Sequence, residues 1–165
     1  MSRKALVTGT VVTLVAGLAV LPFVTSAWSD SDERYPAVTD AATVKECGAC
    51  HMAFQPQMLP KRSWRAIMGD LQNHFGEDAS LPADQARHIE NYLTANAGDA
   101  GKWQFGAVRG LKGNDTPLRI SETPFWVRAH RGEVRPGAFS DPRVGSKANC
   151  VACHRGAEKG YYEDD

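Results

Sequence analysis

All four cysteines of the chain occur in two short segments, CGACH at residues 47–51 and CVACH at residues 150–154. Both segments read C-x-x-C-H, the motif that attaches a c-type haem. Two thiols three residues apart lie on one face of a helical turn, so they can reach the two vinyl groups along one porphyrin edge. A histidine directly after them can bind the iron from the same side. The candidate attachment residues are Cys47, Cys50, Cys150 and Cys153, and the candidate iron ligands beside them are His51 and His154.

Other uses of paired cysteines are a pair of disulfides, a redox-active dithiol and a single structural zinc site. None of these requires a histidine directly after the second cysteine. Here that histidine occurs in both segments, and the two segments use every cysteine of the chain. The sequence therefore predicts two covalently attached haem c groups.

The identity of the sixth iron ligand separates an electron carrier from a catalyst, because an open iron site can bind a substrate or gas. Three further histidines are available: His74, His88 and His130. His74 borders the apolar side of a predicted helix, and His130 follows Trp126 by four residues on one helix face. His88 lies among charged residues, which is typical of a solvated surface position.

The spacing favours one pairing of these histidines. His74 lies 23 residues after His51, and His130 lies 24 residues before His154, so each can fold back over the haem of its own half. Crossed pairing, with His74 on the second haem, stays open. A methionine ligand is a further alternative and would raise the reduction potential. The candidate thioethers are Met52, Met58 and Met68.

The elements that must position these residues are predicted to be helices, because no stretch alternates between apolar and polar residues as a strand does. The fold class is mainly α, with short helices and long loops packed around two covalently bound c-type haems. Helix signals predict five segments. The first is capped by Asp40 and enters the first motif, the second covers residues 64–75 with Ser63 as cap, and the third runs from Pro82 to about residue 97 with Ser80 as cap. The fourth covers about residues 121–131, and the fifth runs from about Ser146 into the second motif.

The first 27 residues differ in composition from the rest. Arg3 and Lys4 precede an uncharged stretch at residues 5–24, and small residues follow it. This order is typical of a secretory signal, although the stretch is also long enough for a retained membrane anchor. Both readings place the chain in the periplasm. The remainder divides into an N-terminal haem region, residues 28–100, and a C-terminal haem region, residues 101–165.

The charge balance of the chain limits the partners that it can bind. The chain has 165 residues with 19 basic and 19 acidic side chains, and this balance argues against a nucleic-acid-binding protein. Removal of residues 1–27 leaves 138 residues with 17 basic and 19 acidic side chains, a net charge of −2. A near-neutral surface predicts weakly bound, transient protein partners.

In combination these motifs resemble the small periplasmic dihaem cytochromes c called DHC. The resemblance covers roughly residues 35–155. The segments that carry it are ECGACH at residues 46–51, Leu59-Pro60, Ser63-Trp64, Leu71, HFG at 74–76, ASL at 79–81, ISETP at 120–124, His130, and CVACH at 150–154.

The resemblance implies a low-potential electron carrier in which both irons are low-spin and ligated by two histidines. It supports the distal role for His74 and His130, whereas His88 matches no family motif. It also implies redox partners such as an oxygen-binding monohaem cytochrome or a membrane cytochrome b. The alternative is a haem enzyme or a peroxide or gas sensor with one open iron site, for which 138 residues leave little room for a substrate pocket.

Overall fold

The computed structural model describes residues 34–101 and 106–163 of the chain. Within these ranges the backbone forms four α-helices and several single 3₁₀ turns, and its only β-type pairing is an isolated bridge between His74 and Glu77. No helix in the described ranges is both long and apolar enough to cross a membrane. The predicted leader at residues 1–27 lies outside them.

The four helices are short and are separated by long connections. They are α1 (Ala41–Cys47), α2 (Lys61–Met68), α3 (Ala83–Ala95) and α4 (Pro124–Ala129). The predicted class, mainly α with short helices and long loops, is confirmed.

Helix α1 forms where the sequence predicts it. The Asp40 carboxylate accepts hydrogen bonds from the Thr43 backbone N–H at 2.8 Å and from the Thr43 hydroxyl at 2.7 Å. This satisfies a donor that the first turn of a helix cannot pair internally. The helix ends at Cys47, so its last residue is the first cysteine of a C-x-x-C-H motif.

The predicted start of α2 at Ser63 is wrong. The helix begins at Lys61, and Ser63 is buried inside it. Pro60 at the N-cap position supplies no side-chain acceptor. Instead the Asp99 carboxylate accepts from the Lys61 N–H at 2.8 Å, so a residue far along the chain caps the helix.

The predicted end of α2 at residue 75 is also wrong. The helix stops at Met68 with Gly69 as its C-cap, because glycine has low helix propensity and ends helices readily. A 3₁₀ turn, Leu71–Asn73, follows in a new direction. Phe75 lies beyond this turn and is 44% exposed, although the predicted helix over residues 64–75 included it.

Helices α3 and α4 lie within their predicted segments and are shorter than predicted. Helix α3 begins after Pro82 without a side-chain cap from Ser80, and α4 is capped by Thr123, whose hydroxyl accepts from the Trp126 N–H at 3.2 Å. The predicted α-helix from Ser146 is wrong, since the second motif enters through a 3₁₀ turn, Cys150–Ala152. The Asn149 side chain donates to a nearby backbone carbonyl at 2.8 Å, and such local bonds compete with helix formation.

Two apolar clusters form the core. The larger packs α2 against α3 and consists of Leu59, Trp64, Met68, Ile89, Leu93 and Ala97. The smaller contains Tyr35, Met58 and Ala107, with Phe125 and Tyr162 packed against it. Ile120 packs against both clusters, so the segment that leads into α4 joins the two.

The C-terminal segment closes on the beginning of the described chain. The Tyr35 N–H donates to the Gly160 carbonyl at 3.0 Å, and Gly160 has a positive φ of 84°. A Cβ atom at residue 160 would overlap the Tyr35 carbonyl oxygen. Glycine is therefore required at this closure both for its backbone conformation and for the close approach.

Gly160→Ala should destabilise the protein by about 3 kcal/mol or more, because left-handed strain adds to the overlap with Tyr35. Gly137→Ala is the matched control, since Gly137 has φ 81° but open space around its Cβ position. The control should cost only about 1–2 kcal/mol. Urea unfolding of the haem-loaded proteins measures both, and equal losses would show that the closure is not tightly packed.

Candidate haem site

The first motif is delivered by the end of α1. Cys47 is half-buried and Cys50 is exposed. The Nδ1 atom of His51 lies 2.7 Å from the Met52 carbonyl oxygen. Because a carbonyl can only accept, Nδ1 carries the proton and Nε2 is left with a free lone pair. This is the arrangement in which a histidine commonly binds a metal.

His74 faces His51. Their ring centroids are 6.2 Å apart and their planes are inclined by 26°. His74 follows the turn Leu71–Asn73, and the backbone N–H of His74 donates to the Leu71 carbonyl at 3.3 Å. Phe54 stacks on His51 at 4.8 Å. The break in helix α2 therefore places His74 opposite the motif histidine rather than on a continuous helix.

The second motif forms a tight turn of its own. The His154 N–H donates to the Cys150 carbonyl at 2.8 Å, which folds the histidine back toward the first cysteine. Cys150 is half-buried and Cys153 is exposed, as in the first motif. The two motifs thus present their cysteines in the same way although only the first follows an α-helix.

His130 faces His154, with ring centroids 6.1 Å apart and planes nearly perpendicular at 89°. His130 is the C-cap of α4, and its Nδ1 donates to the Trp126 carbonyl at 2.8 Å. The Trp126 ring stacks on the imidazole at 4.0 Å with an angle of 18°. Trp126 of α4 therefore fixes both the tautomer and the ring plane of His130.

Both facing pairs have the separation that a six-coordinate iron requires. Metal–imidazole distances of about 2 Å on opposite sides of an ion put the two ring centroids about 6 Å apart. The Nδ1–H groups of His51 and His130 are held by carbonyls, so their Nε2 atoms are the available ligands. The residues present fit two haem groups, because each motif histidine has a second imidazole about 6 Å away.

The electrostatics of the sites agree with uncharged groups at these positions. Burial raises the pKa of the Cys47 thiol and raises that of Cys150 to about 11, whereas a thioether carries no charge. A zinc site would need thiolates at the same places. Burial also lowers the pKa of His74, with repulsion from His51 and Arg119 adding to the effect. A neutral imidazole is the form that binds a metal.

The remaining candidate ligands lie elsewhere. His88 is 57% exposed, and its Nε2 atom is 2.7 Å from the Asp40 carboxylate. Met68 is part of the larger core cluster, and Met58 is buried with its sulfur 3.9 Å from the Tyr162 hydroxyl. Met52 is buried and supplies its backbone carbonyl to His51.

A buried hydrogen-bonded link between the two sites was not predicted. The Tyr162 hydroxyl donates to Gln55 Oε1 at 2.6 Å, and Gln55 Nε2 donates to the Ala157 carbonyl at 2.7 Å. The Tyr162 ring also lies 5.5 Å from that of His154. No local pattern marks these residues, because the partners are 107 positions apart. Phe139, 5.5 Å from Trp126, was also not predicted.

Comparison with known proteins decides the family. Residues 43–162 match the family model described as dihaem cytochrome c. The chain belongs to the dihaem cytochrome c family. Its cofactors are two covalently bound haem c groups.

Solved structures of this dihaem cytochrome family are similar to the chain. A diheme cytochrome c from Rhodobacter sphaeroides is 52% identical to the chain with a TM-score of 0.72. A DHC purified from the same organism is 48% identical with a TM-score of 0.64. Each of these two matches covers 76% of this chain and 98% of the other. A diheme cytochrome c from Shewanella baltica OS155 is 37% identical with a TM-score of 0.60, over 74% of this chain and 86% of the other. No curated protein matches the chain.

In this dihaem cytochrome, Asp40 should matter through its cap on the helix that carries Cys47. Asp40→Ala should lower stability by about 1 kcal/mol, whereas Asp40→Asn should keep the cap and lose less. Hydrogen bonds from the Thr43 hydroxyl, His88 and the Thr43 N–H lower the pKa of Asp40 from 3.8 to about 2.

The sign of the pH dependence follows from that lowered pKa. A carboxylate with a lowered folded-state pKa stabilises the fold above its ordinary pKa, and this contribution is lost as pH falls through the folded-state value. The stability difference between the natural protein and Asp40→Asn should therefore shrink as pH falls from 3.8 toward 2. Urea midpoints measured across this range test it, and a difference independent of pH would contradict the assignment.

Proposed function

We propose that the protein is a periplasmic electron-transfer protein in which each iron is held by two histidines. Cys47 and Cys50 would hold haem 1, with His51 and His74 as the ligands of its iron. Cys150 and Cys153 would hold haem 2, with His154 and His130 as the ligands of its iron. The observation that carries the proposal is the pair of facing imidazoles, 6.2 Å and 6.1 Å apart.

When bound, each haem c supplies a one-electron couple between ferric and ferrous iron. With two histidines on each iron, neither site would offer room for a substrate oxygen or nitrogen atom. This favours a carrier over the alternative of an enzyme or gas sensor with one open iron site. The exposed positions of Cys50 and Cys153 put the attachment edge of each haem near the surface, where a partner can approach.

The protein also sets the reduction potentials through the ligands. The Met52 and Trp126 carbonyls accept hydrogen bonds from His51 and His130, which makes these imidazoles more basic. More basic ligands favour the more positively charged ferric state. Together with the absence of a thioether ligand in the proposed sets, this supports low potentials for both haems.

The partners that fit this function are redox proteins of the same compartment. A monohaem cytochrome, a membrane cytochrome b and another periplasmic carrier are the candidate classes, and nucleic acid is not among them. The net charge of −2 after removal of residues 1–27 supports brief encounters rather than strong electrostatic binding. The N-terminal signal supports export to the periplasm, and membrane attachment would require that segment to be retained.

His74→Ala and His130→Ala should each convert one of the two ferric irons from low spin to high spin, because a strong-field nitrogen ligand is lost from that iron. Absorption and EPR spectra of the ferric protein at neutral pH measure the change. The unaltered protein should contain low-spin iron only.

His88→Ala is the matched control, since His88 is exposed and bonded to Asp40. It should leave both irons low-spin. A high-spin fraction in the unaltered protein would favour the open-site alternative, and a high-spin signal in the His88 variant would overturn the ligand assignment.

The two haems should also be distinguishable in the same EPR spectra. Imidazole π orbitals split the iron d orbitals most when the two ring planes are parallel, and their effects cancel when the planes are perpendicular. The angle of 26° at haem 1 and 89° at haem 2 therefore predicts a rhombic signal and a strongly anisotropic signal, respectively. His74→Ala should remove the rhombic signal; loss of the other would contradict the proposed pairing.

A further inference from the structure

Phe75, the residue after His74, has an unusual backbone. Its φ is 55°, the only positive φ at a non-glycine position in residues 34–101 and 106–163. A bulky side chain rarely adopts this left-handed conformation. Here the Glu77 backbone N–H donates to the His74 carbonyl at 3.1 Å and closes a turn around Phe75. Burial does not explain it, since the side chain is 44% exposed.

A side-chain contact to Phe75 comes from the other half of the chain. The guanidinium carbon of Arg119 lies 4.0 Å from the centre of the Phe75 ring, within the range of a cation–π interaction. The Phe75 ring also contacts His74, whose imidazole centroid is 4.8 Å away at an angle of 63°. Phe75 thus contacts both a cation and the imidazole proposed to bind haem 1.

Arg119 is itself anchored in the fold. Its carbonyl accepts from the Glu122 N–H at 3.0 Å, which closes the 3₁₀ turn Ile120–Glu122. Its Nε atom lies 3.8 Å from the Glu122 carboxylate, and its neighbour Ile120 packs against both core clusters. The same segment continues into α4, which carries His130. Arg119 therefore belongs to the segment that leads to His130, while its side chain contacts the residue next to His74.

We propose that Arg119 is a positioning residue for haem 1: through Phe75 it fixes the plane of the His74 imidazole, and its charge favours the reduced state of that haem. The proposal rests on the proposed ligation of haem 1 by His74. Reduction adds one electron to the ferric iron and no proton. A fixed positive charge beside the pocket stabilises that added negative charge and so raises the potential of haem 1.

Arg119→Gln tests both parts, and haem 2 in the same molecule is the internal reference. At a fixed electrode potential, the ferrous-to-ferric ratio of haem 1 should be about threefold to tenfold lower than in the unaltered protein. A tenfold fall corresponds to a reduction potential lowered by about 59 mV for one electron. The rhombic EPR signal should shift or broaden. The signal and potential of haem 2 should be unchanged.

Two further variants separate charge from contact. Arg119→Lys should restore most of the haem 1 potential, because the cation is retained. Arg87→Gln makes the same charge change at an exposed position on α3 and should alter neither haem. If Arg119→Gln behaves like Arg87→Gln, or shifts both haems equally, the proposal is wrong.

Phe75→Leu keeps the Arg119 charge and removes the aromatic ring. It should change the rhombic EPR signal while leaving the potential of haem 1 closer to that of the unaltered protein than Arg119→Gln does. An unchanged rhombic signal would overturn the positioning role. His74→Ala separates failure of this inference from failure of the ligand assignment. If His74→Ala makes haem 1 high-spin while the Arg119 and Phe75 variants have no effect, only this inference fails. If both irons stay low-spin in His74→Ala, the ligand assignment fails as well.

Discussion

The separation of about 6 Å between facing imidazoles is the constraint on which the rest of the structure depends. Two rings at that distance suit one six-coordinate metal ion between them, and a deviation of a bond length at either ring would lose a ligand. Short elements meet this constraint in both halves. The break of α2 at Gly69 brings His74 opposite His51, and the end of α4 brings His130 opposite His154.

Contacts between the halves keep both pairs in place. The Gln55 side chain, fully buried, binds the Tyr162 hydroxyl and the Ala157 carbonyl, while Tyr35 bonds to Gly160. A buried amide with both of its ends paired is stable only when both partners are in position. These bonds tie the C-terminal motif to the segment that follows the first motif. The small apolar core is thereby supplemented by polar closure and, in the loaded protein, by the haems themselves.

The sequence was informative where the signal is local. The two C-x-x-C-H motifs predicted the two haem groups, and the Asp40 cap predicted the start of α1. The spacing of His74 and His130 from the motif histidines favoured the two pairs whose rings face each other. The errors arose from distant partners: Asp99 sets the start of α2 from 38 residues away, and Tyr162 reaches Gln55 from 107 residues away. Phe75 is exposed because α2 ends at Gly69, whereas the predicted helix over residues 64–75 continued through it.

The most direct test of the account is to locate the two irons in crystals of the haem-loaded protein by anomalous scattering at the iron absorption edge. The account predicts one iron between His51 and His74 and one between His154 and His130, each about 2 Å from a ring nitrogen on both sides. An iron bound by a crossed pair of histidines, by a methionine sulfur or by only one protein ligand would contradict it.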